Sequence, residues 1–433
     1  MRYLLDNLIA KLIMNNKKML SPMILKLEED MNSGNDNAID IFWEKIEREG
    51  APLIEDIEGD EENSIVTVIW RQDREIDNIF VFSEIFGGWM FGEGDKKTNL
   101  YRLGNSDLWY RSAILSKKAR CLYTLIANVN EEYEWRDEDV IIDPLNPKTY
   151  TPVRDEENPE DIALLVPTEN IIEMPEAKEK IWTKERTDNK TGKIHMSRFK
   201  LKSDKKERRV WIYTPYGYEE DGSDNNLMVF TDGWEYINLV EAPKILDNLI
   251  GDRHISPTCA VFIEGSDNRA KELICNNEYF EFITEDILPW VRENYKVTKN
   301  PKNTIITGLS LGGQFAAYAA LNGSDVFGNV LSQSGAFAWF IDDKGEIQLD
   351  SEGNSKLIEE YKDSEVLPID FYLNMGSLEG FSKGHVEANN RMIATLKSKG
   401  YNVTSETFIG AHLYYDWQDN LANGVKALLV DKQ

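Results

Sequence analysis

The 433-residue sequence predicts an α/β protein in two parts: a small all-β sandwich domain, then a larger domain in which a mostly parallel sheet is wrapped by helices. Three observations predict it. From Ser64 to about Val129, "SIVTVIWR", "NIFVFSEIF", "LWYRSAIL" and "RCLYTLIANV" are β-branched and aromatic runs split by Gly, Asn and Asp, with no helical pattern between them. Between Asp143 and Pro175, "DPLNP", "TPV" and the acidic "DEENPED" punctuate the chain as a linker does. From "RRVWIYTP" onward, short apolar runs alternate with helical patterns, the order of a sheet whose strands are joined by helices.

Taken in order, residues 1–35 form an N-terminal segment. In "MRYLLDNLIAKLIMNNKKML", Asp6, Asn7 and Lys11 interrupt the apolar run and no small-residue cleavage site follows, so a short amphipathic helix or an irregular start is expected there, not a signal peptide. The β-sandwich domain takes residues 36–150 and opens with a helix, because "NAIDIFWEKIEREG" sets Ile39, Phe42, Trp43 and Ile46 at helical spacing before Gly50. Residues 151–175 are the linker and residues 176–433 the larger domain. Its strands are "NLMVFTDG", "TCAVFIEG", "NTIITGLS", "GNVLSQSG" and "PIDFYLNMG", with helices over Tyr279–Tyr295 and Gln314–Leu321 among those between them. Nowhere do eighteen apolar residues run together, so no membrane span is expected.

A formal net charge of -27 excludes a general binder of nucleic acid or anionic membrane, whose phosphates the long-range field repels. Cys121, Cys259 and Cys275 are odd in number and widely spaced, which builds neither a disulfide framework nor a metal pair and fits free thiols in a reducing cytoplasm.

The stretch "TIITGLSLGGQFAAYAA" carries the chemistry. A strand candidate ends at Thr307-Gly308, Ser310 follows, and helix-favouring residues begin at once. Glycines two before and two after the serine permit the sharp strand-to-helix turn that exposes a nucleophilic hydroxyl in α/β-hydrolases. A serine hydroxyl needs a base close by, and the chain has four histidines. His195 in "TGKIHMSR" and His254 in "GDRHISP" read as surface residues. His412 in "FIGAHLYYDW" sits in the late strand-to-helix loop where this fold keeps its base, with His385 in "SKGHVEANN" the alternative. The carboxylate that orients the imidazole belongs on the preceding strand-end loop. "DFYLNMGSLEGF" supplies Glu379 there, with Asp370 and Asp416 as alternatives. Two backbone N–H groups must receive the oxyanion. Leu311, after the nucleophile, gives one, and Gly233 or Trp234 in "VFTDGWEY" the other.

With these residues placed, the sequence resembles the enterochelin (enterobactin) esterases, siderophore trilactone hydrolases of the esterase D superfamily. The resemblance runs from about Phe42 onward through "FWEKIEREGAPLIE", "VTVIWR", "LGNSDLWYRS", "DPLNP", "RRVWIYTP", "RAKELICNNEYFEFITEDILPWV", "GLSLGGQ", "GSLEG" and "GAHLYYDW". It implies a β-sandwich N-terminal domain and an α/β-hydrolase domain that cleave the esters of ferric enterobactin in the cytoplasm. It implies too that Ser310, His412 and Glu379 are nucleophile, base and acid, and that Arg269, Glu272 and Asn276 border the substrate pocket. The sequence departs from the family pattern at Ala411, usually glycine, and at Leu413, where an acidic residue is frequent.

Lys184 to Arg209 holds eleven Lys/Arg against four Asp/Glu, a local reversal of charge that suits an anionic substrate or else a lysine-rich edge hairpin. Trp234 reads either as a surface for catechol rings or as a core or lid tryptophan. No metal-ligand cluster, P-loop or dinucleotide fingerprint appears, so no cofactor is expected and iron would arrive with a small-molecule siderophore. The other readings are a feruloyl or acetyl carbohydrate esterase with a sugar-binding first domain, and a non-catalytic protein that sequesters a ligand.

Overall fold

Ser21 caps the first described helix, its Oγ accepting the Ile24 N–H at 3.2 Å at the start of Pro22–Asn32. A second helix, Ala38–Glu49, stops at Gly50, as the spacing predicts. Ile24, Leu27, Phe42, Trp43 and Ile46 of these helices bury against Leu53, Ile69, Leu108 and Tyr110. The computed structural model describes residues 21–86, 98–130, 134–157, 168–187, 190–202, 207–219, 222, 224–380 and 383–429; the N-terminal stretch 1–20 and the middle of the expected linker lie outside them.

Two units divide the chain: Met1–Arg154 with Asn158–Lys178, and Asp155–Glu157 with Glu179–Gln433. In the first, β1 (Leu53–Ile57), β2 (Asp60–Arg71), β3 (Ile79–Phe82), β4 (Tyr101–Arg102), β5 (Leu108–Ser116), β6 (Arg120–Ala127), β7 (Val140–Ile141), β8 (Thr149–Tyr150) and β9 (Glu169–Glu173) make two sheets. Their orders are β1-β2-β5-β4 and β3-β6-β9-β8, with β7 on β6, and every pairing is antiparallel. Ile65 to Trp70 of β2 are all buried, so both faces of that strand are covered. Two details differ from the sequence reading. "NIFVFSEIF" leaves the strand at Phe82 and turns through Glu84–Phe86. β9 lies inside the stretch read as linker, because its alternation has only two inward residues, Asn170 and Ile172, too short a pattern to stand out among prolines and acids.

The second unit holds one eight-stranded sheet. Its strands are β10 (Lys193–Phe199), β11 (Arg208–Thr214), β12 (Asn226–Phe230), β13 (Thr258–Ile263), β14 (Thr304–Leu309), β15 (Asn329–Gln333), β18 (Asp370–Gly376) and β19 (Asn402–Phe408), while β16 (Trp339–Ile341) and β17 (Ile347–Leu349) form a separate ribbon. The order is β10-β11-β13-β12-β14-β15-β18-β19, antiparallel at β10–β11 and β11–β13 and parallel elsewhere. Apolar runs without alternation are what a parallel sheet covered on both faces requires. Accordingly Leu227 and Val229 of β12 pack in one cluster with the helix Leu311–Asn322, and Met228 and Phe230 in another with the helices Ala242–Gly251 and Tyr414–Leu429. The expected helix over Tyr279–Tyr295 is present from Asn277 to Asn294, with one wider turn, Phe282–Ile287, between Asn277–Glu281 and Leu288–Asn294. Pro289, lacking an N–H, cannot close a regular bond there.

Asp155 belongs to this unit through a buried ion pair. Arg209 reaches Asp155 Oδ1 at 3.1 Å and donates to Glu264 at 3.0 Å, and both Arg209 and Asp155 are buried.

Candidate active site

Ser310 stands between the end of β14 and the first residue of the helix Leu311–Asn322, with φ 55° and ψ -119°. Such a backbone costs a non-glycine residue about 1–3 kcal/mol and persists only where its surroundings impose it. Here the Ser310 N–H donates to the Gln333 carbonyl at 2.9 Å, and the Ser310 carbonyl accepts from Gly313 at 3.0 Å and Ala336 at 2.9 Å. A Cβ on Gly308 would lie 2.3 Å from the Gly312 carbonyl carbon, and one on Gly312 would lie 2.3 Å from Thr231 Oγ1. Both glycines of the motif are therefore steric necessities.

Leu311 opens its helix, and Trp234 is the second residue of the helix Gly233–Asn238 that follows β12. Both N–H groups fall in first turns, which lack intrahelical acceptors. Between β12 and that helix, Asp232 sits at φ 54°, only 1% exposed, and takes both carboxylate bonds from Arg269, at 2.5 and 2.7 Å. The Arg269 side chain is 31% exposed.

The loops bearing Glu379 and His412 are joined by backbone. Ser377 donates to the Phe408 carbonyl at 2.8 Å and Leu378 to that of Gly410 at 2.9 Å. That places the fully buried Glu379 against His412, with Oε2 2.8 Å from Nδ1. Oε2 also meets His385 Nε2 at 3.0 Å, while Oε1 accepts from Ser334 Oγ and from the Gly376 N–H, each at 2.6 Å. Burial opposes the charge on Glu379, yet the His412 charge and the bonds from both histidines outweigh it and hold the carboxyl at about 2. An ionised carboxylate only accepts, so His412 carries its proton on Nδ1 and His385 on Nε2, and His412 Nε2 is the basic nitrogen. Burial, opposed by Glu379, lowers His385 below the ordinary histidine value. The donor atoms of Glu379, His385 and His412 lie within 4.8 Å of one another, a metal-site spacing, but the two contacts to the shared oxygen are hydrogen-bond lengths.

His412 also packs on the edge of Trp417, centroids 4.8 Å apart, and Trp417 Nε1 donates to Ser334 Oγ at 2.9 Å. Ser334 thus links the aromatic wall to the acid. The sequence offers no signal for it beyond its place after β15. For His385 the signal is six residues' distance from Glu379, at the start of the helix Lys383–Lys399.

Other sequence candidates fall elsewhere. Asp370 begins β18, about 20 Å along the strand from Gly376. Asp416 accepts the Ala411 N–H at 2.7 Å, and burial pushes its carboxyl up to about 7 against the pull of Lys180 and of that N–H. His195 and His254 are exposed. Glu272 is buried in a bidentate pair with Arg208, at 2.8 and 3.1 Å, and Asn276 caps the helix Asn277–Glu281 through the Tyr279 N–H at 3.0 Å. In the basic stretch, Lys184, Arg186, Arg198, Arg208 and Arg209 are all ion-paired, which reduces the charge reversal the sequence displays.

Residues 202–428 match the family described as "Putative esterase". The chain belongs to this esterase family. It is a carboxylic ester hydrolase, and residues 65–168 of the esterase match a second family, "Enterochelin esterase, N-terminal", as the resemblance read from the sequence implies. The esterase is 25% identical over 428 residues to the iron(III) enterobactin esterase of Dickeya dadantii, covering 90% of this chain and 92% of that one. It is 22% identical over 425 residues to the iron(III) salmochelin esterase of Escherichia coli, covering 94% and 97%. Among solved structures, ferric enterobactin esterase from Salmonella typhimurium superposes with a TM-score of 0.68 at 23% identity, over 87% of this chain and 96% of that one. The Shigella flexneri enterobactin esterase in the presence of enterobactin gives 0.67 at 23%, over 88% and 95%. These likenesses show the fold of the esterase, mixed α/β with an N-terminal sheet region. Among the described residues no helix is long and apolar enough to cross a membrane.

Proposed function

We propose that the esterase opens the trilactone of a catecholate siderophore such as ferric enterobactin through an acyl-enzyme, with Ser310 as nucleophile, His412 as base and Glu379 as acid. The observation that carries this reading is the 2.8 Å bond from His412 Nδ1 to Glu379 Oε2, in a chain whose serine occupies a strained strand-to-helix turn. Ser310 Oγ attacks an ester carbonyl and its proton passes to His412 Nε2. Glu379 stabilises the imidazolium, and the Leu311 and Trp234 N–H groups receive the oxyanion. Collapse expels the seryl alkoxide of the trilactone, which takes the proton from His412, and water that gives its proton to His412 Nε2 then cleaves the Ser310 ester, freeing the linear acid and returning the proton to Ser310 Oγ.

Residues 36–150 are then a β-sandwich domain, 151–175 a linker region and 176–433 an α/β-hydrolase domain. The sheet order supports the last assignment, because the nucleophile follows the fifth strand in chain order and the acid and base follow the last two. The names of the relatives support the substrate class. Arg269 lies beside the turn with its charge matched by Asp232, and Trp234, buried at 7% exposure, serves through its backbone N–H and not as a stacking surface for a catechol. Asn276 serves its own turn, its Oδ1 accepting the Tyr279 N–H and its Nδ2 donating to the Lys271 carbonyl, and it is given no contact with substrate. The cytoplasm is the proposed compartment, supported by Cys259 and Cys275, which form no disulfide among the described residues. Mass spectrometry of products from apo and ferric enterobactin, with a Ser310→Ala control, tests the proposal. Ser310-dependent linear trimer, dimer or monomer upholds it. Intact trilactone with turnover of feruloyl or acetyl esters overturns the substrate and keeps the chemistry.

A further inference from the structure

In a three-membered serine hydrolase site, the acid has one imidazole to orient. Glu379 has two, on a single oxygen: His412 Nδ1 at 2.8 Å and His385 Nε2 at 3.0 Å. The two rings meet edge to face, centroids 5.3 Å apart and planes at 87°. Oε1 is already taken by Ser334 Oγ and the Gly376 N–H, so four donors fill the roughly four acceptor directions a carboxylate offers. The His385 side chain is 1% exposed and comes from the helix Lys383–Lys399, an element otherwise separate from the acid's turn.

We propose that His385 is a positioning residue for ester hydrolysis: its Nε2–H fills the second acceptor direction of Glu379 Oε2, fixing the carboxylate plane on His412 and limiting how tightly that oxygen holds the His412 proton. Each donor on an anion draws down its remaining basicity, so an Oε2 shared by two rings binds each less strongly than it would bind one. The base must accept a proton from Ser310 and then surrender it to the leaving alkoxide. An acid that attracted the imidazolium without restraint would slow the second step. His385 does this without adding charge, since burial keeps it neutral near neutral pH. The other titratable groups near Glu379 are Asp416 on the helix Tyr414–Leu429 and, around Asp416, Asp419 and Lys180. Their charges act on the site as a whole, whereas His385 acts on the one oxygen that orients the base.

This inference rests on the reading of Ser310 and His412 as nucleophile and base, and the test separates the two. The full chain, Ser310→Ala, His385→Phe and His385→Gln are assayed against p-nitrophenyl butyrate across pH. Phenylalanine keeps the ring volume and removes the donor, whereas glutamine carries an amide N–H to about the same reach. Phe is expected to lower kcat about tenfold with KM changed less than about twofold, and to move the acidic limb of kcat/KM to higher pH. Gln is expected to restore most of both. In the unmodified protein with 15N-labelled histidine, two protected downfield ring N–H signals are expected, one on Nδ1 and one on Nε2, and His385→Phe removes the Nε2 signal. His385→Phe with an unmoved limb and full kcat, glutamine no better than phenylalanine, or a single downfield signal in the unmodified protein overturns the inference. Full activity in Ser310→Ala would instead overturn the nucleophile assignment beneath it.

Discussion

Leu378 gives its backbone N–H to the Gly410 carbonyl at 2.9 Å, and through that bond the turn bearing Glu379 and the loop bearing His412 become one piece of structure. The parallel register beneath them pairs Gly376 with Phe408, so sheet pairing, before any side chain is considered, brings Glu379 and His412 within reach. The two loops are extensions of β18 and β19, and the site inherits the rigidity of the sheet.

Replacement of Ser310 by Ala is expected to reduce ester hydrolysis by at least about a thousandfold and to abolish covalent labelling by a fluorophosphonate, with the melting temperature little changed. Intact-mass measurement after labelling decides it. An adduct on the Ala variant would place the nucleophile elsewhere.

Glu379→Gln replaces an acceptor-only group by one that also presents an N–H to two rings that donate. A kcat loss of about a hundredfold or more is expected, since the tautomer of His412 is no longer enforced. Stability should respond as well. The folded carboxyl lies at about 2 against an ordinary 4.5, so its contribution is complete above 4.5 and disappears as pH falls toward 2. Chemical denaturation across that window should show a steeper decline for the unmodified protein than for Glu379→Gln. Parallel curves would refute the assignment.

Asp416 has the opposite sign. Its carboxyl rises from 3.8 to about 7 on folding, so the stability linked to its proton is full below 3.8 and is lost as pH rises through about 7. Asp416→Asn can still accept the Ala411 N–H and has no charge to bury. Its melting temperature relative to the unmodified protein is expected to improve between about pH 5 and about pH 8. A difference that stays constant across that range would count against the buried charge.

Gly312→Ala forces a methyl to within 2.3 Å of Thr231 Oγ1 and 3.0 Å of Asp232 Oδ2. Overpacking of this kind costs about 1–3 kcal/mol. The displaced groups flank the proposed oxyanion donors, so kcat should fall more than melting temperature implies. Wild-type kcat with lowered stability would show that the turn tolerates the shift.

The turn at Ser310 was legible because its backbone leaves a mark: a serine forced to positive φ needs glycine where neighbouring chain comes close, and Gly308 and Gly312 are fixed in sequence for that reason. Glu379 and His412 were legible from order along the chain, each in a loop at the end of an apolar strand. His385 and Ser334 left no such trace as partners of the acid. Their roles arise where β15, β18 and the helix Lys383–Lys399 converge, and no local pattern encodes that approach. Arg269 was placed near the pocket, but its clamp on Asp232 was not foreseen, and the basic stretch looked freer in sequence than its ion pairs make it. β9 was hidden by prolines and acids around a strand with only two inward residues.

The buried pair of Arg209 and Asp155 bears on where the second unit can be separated from the rest of the chain. A cut at residue 179, the natural choice from the main block of the second unit, would strip Asp155 away and leave a buried guanidinium leaning on Glu264 alone, a loss on the order of a few kcal/mol. A fragment that begins ahead of Asp155 carries its own counter-ion, though it parts β9 from β6 and β8, so either cut trades one loss for another when the esterase half is wanted by itself.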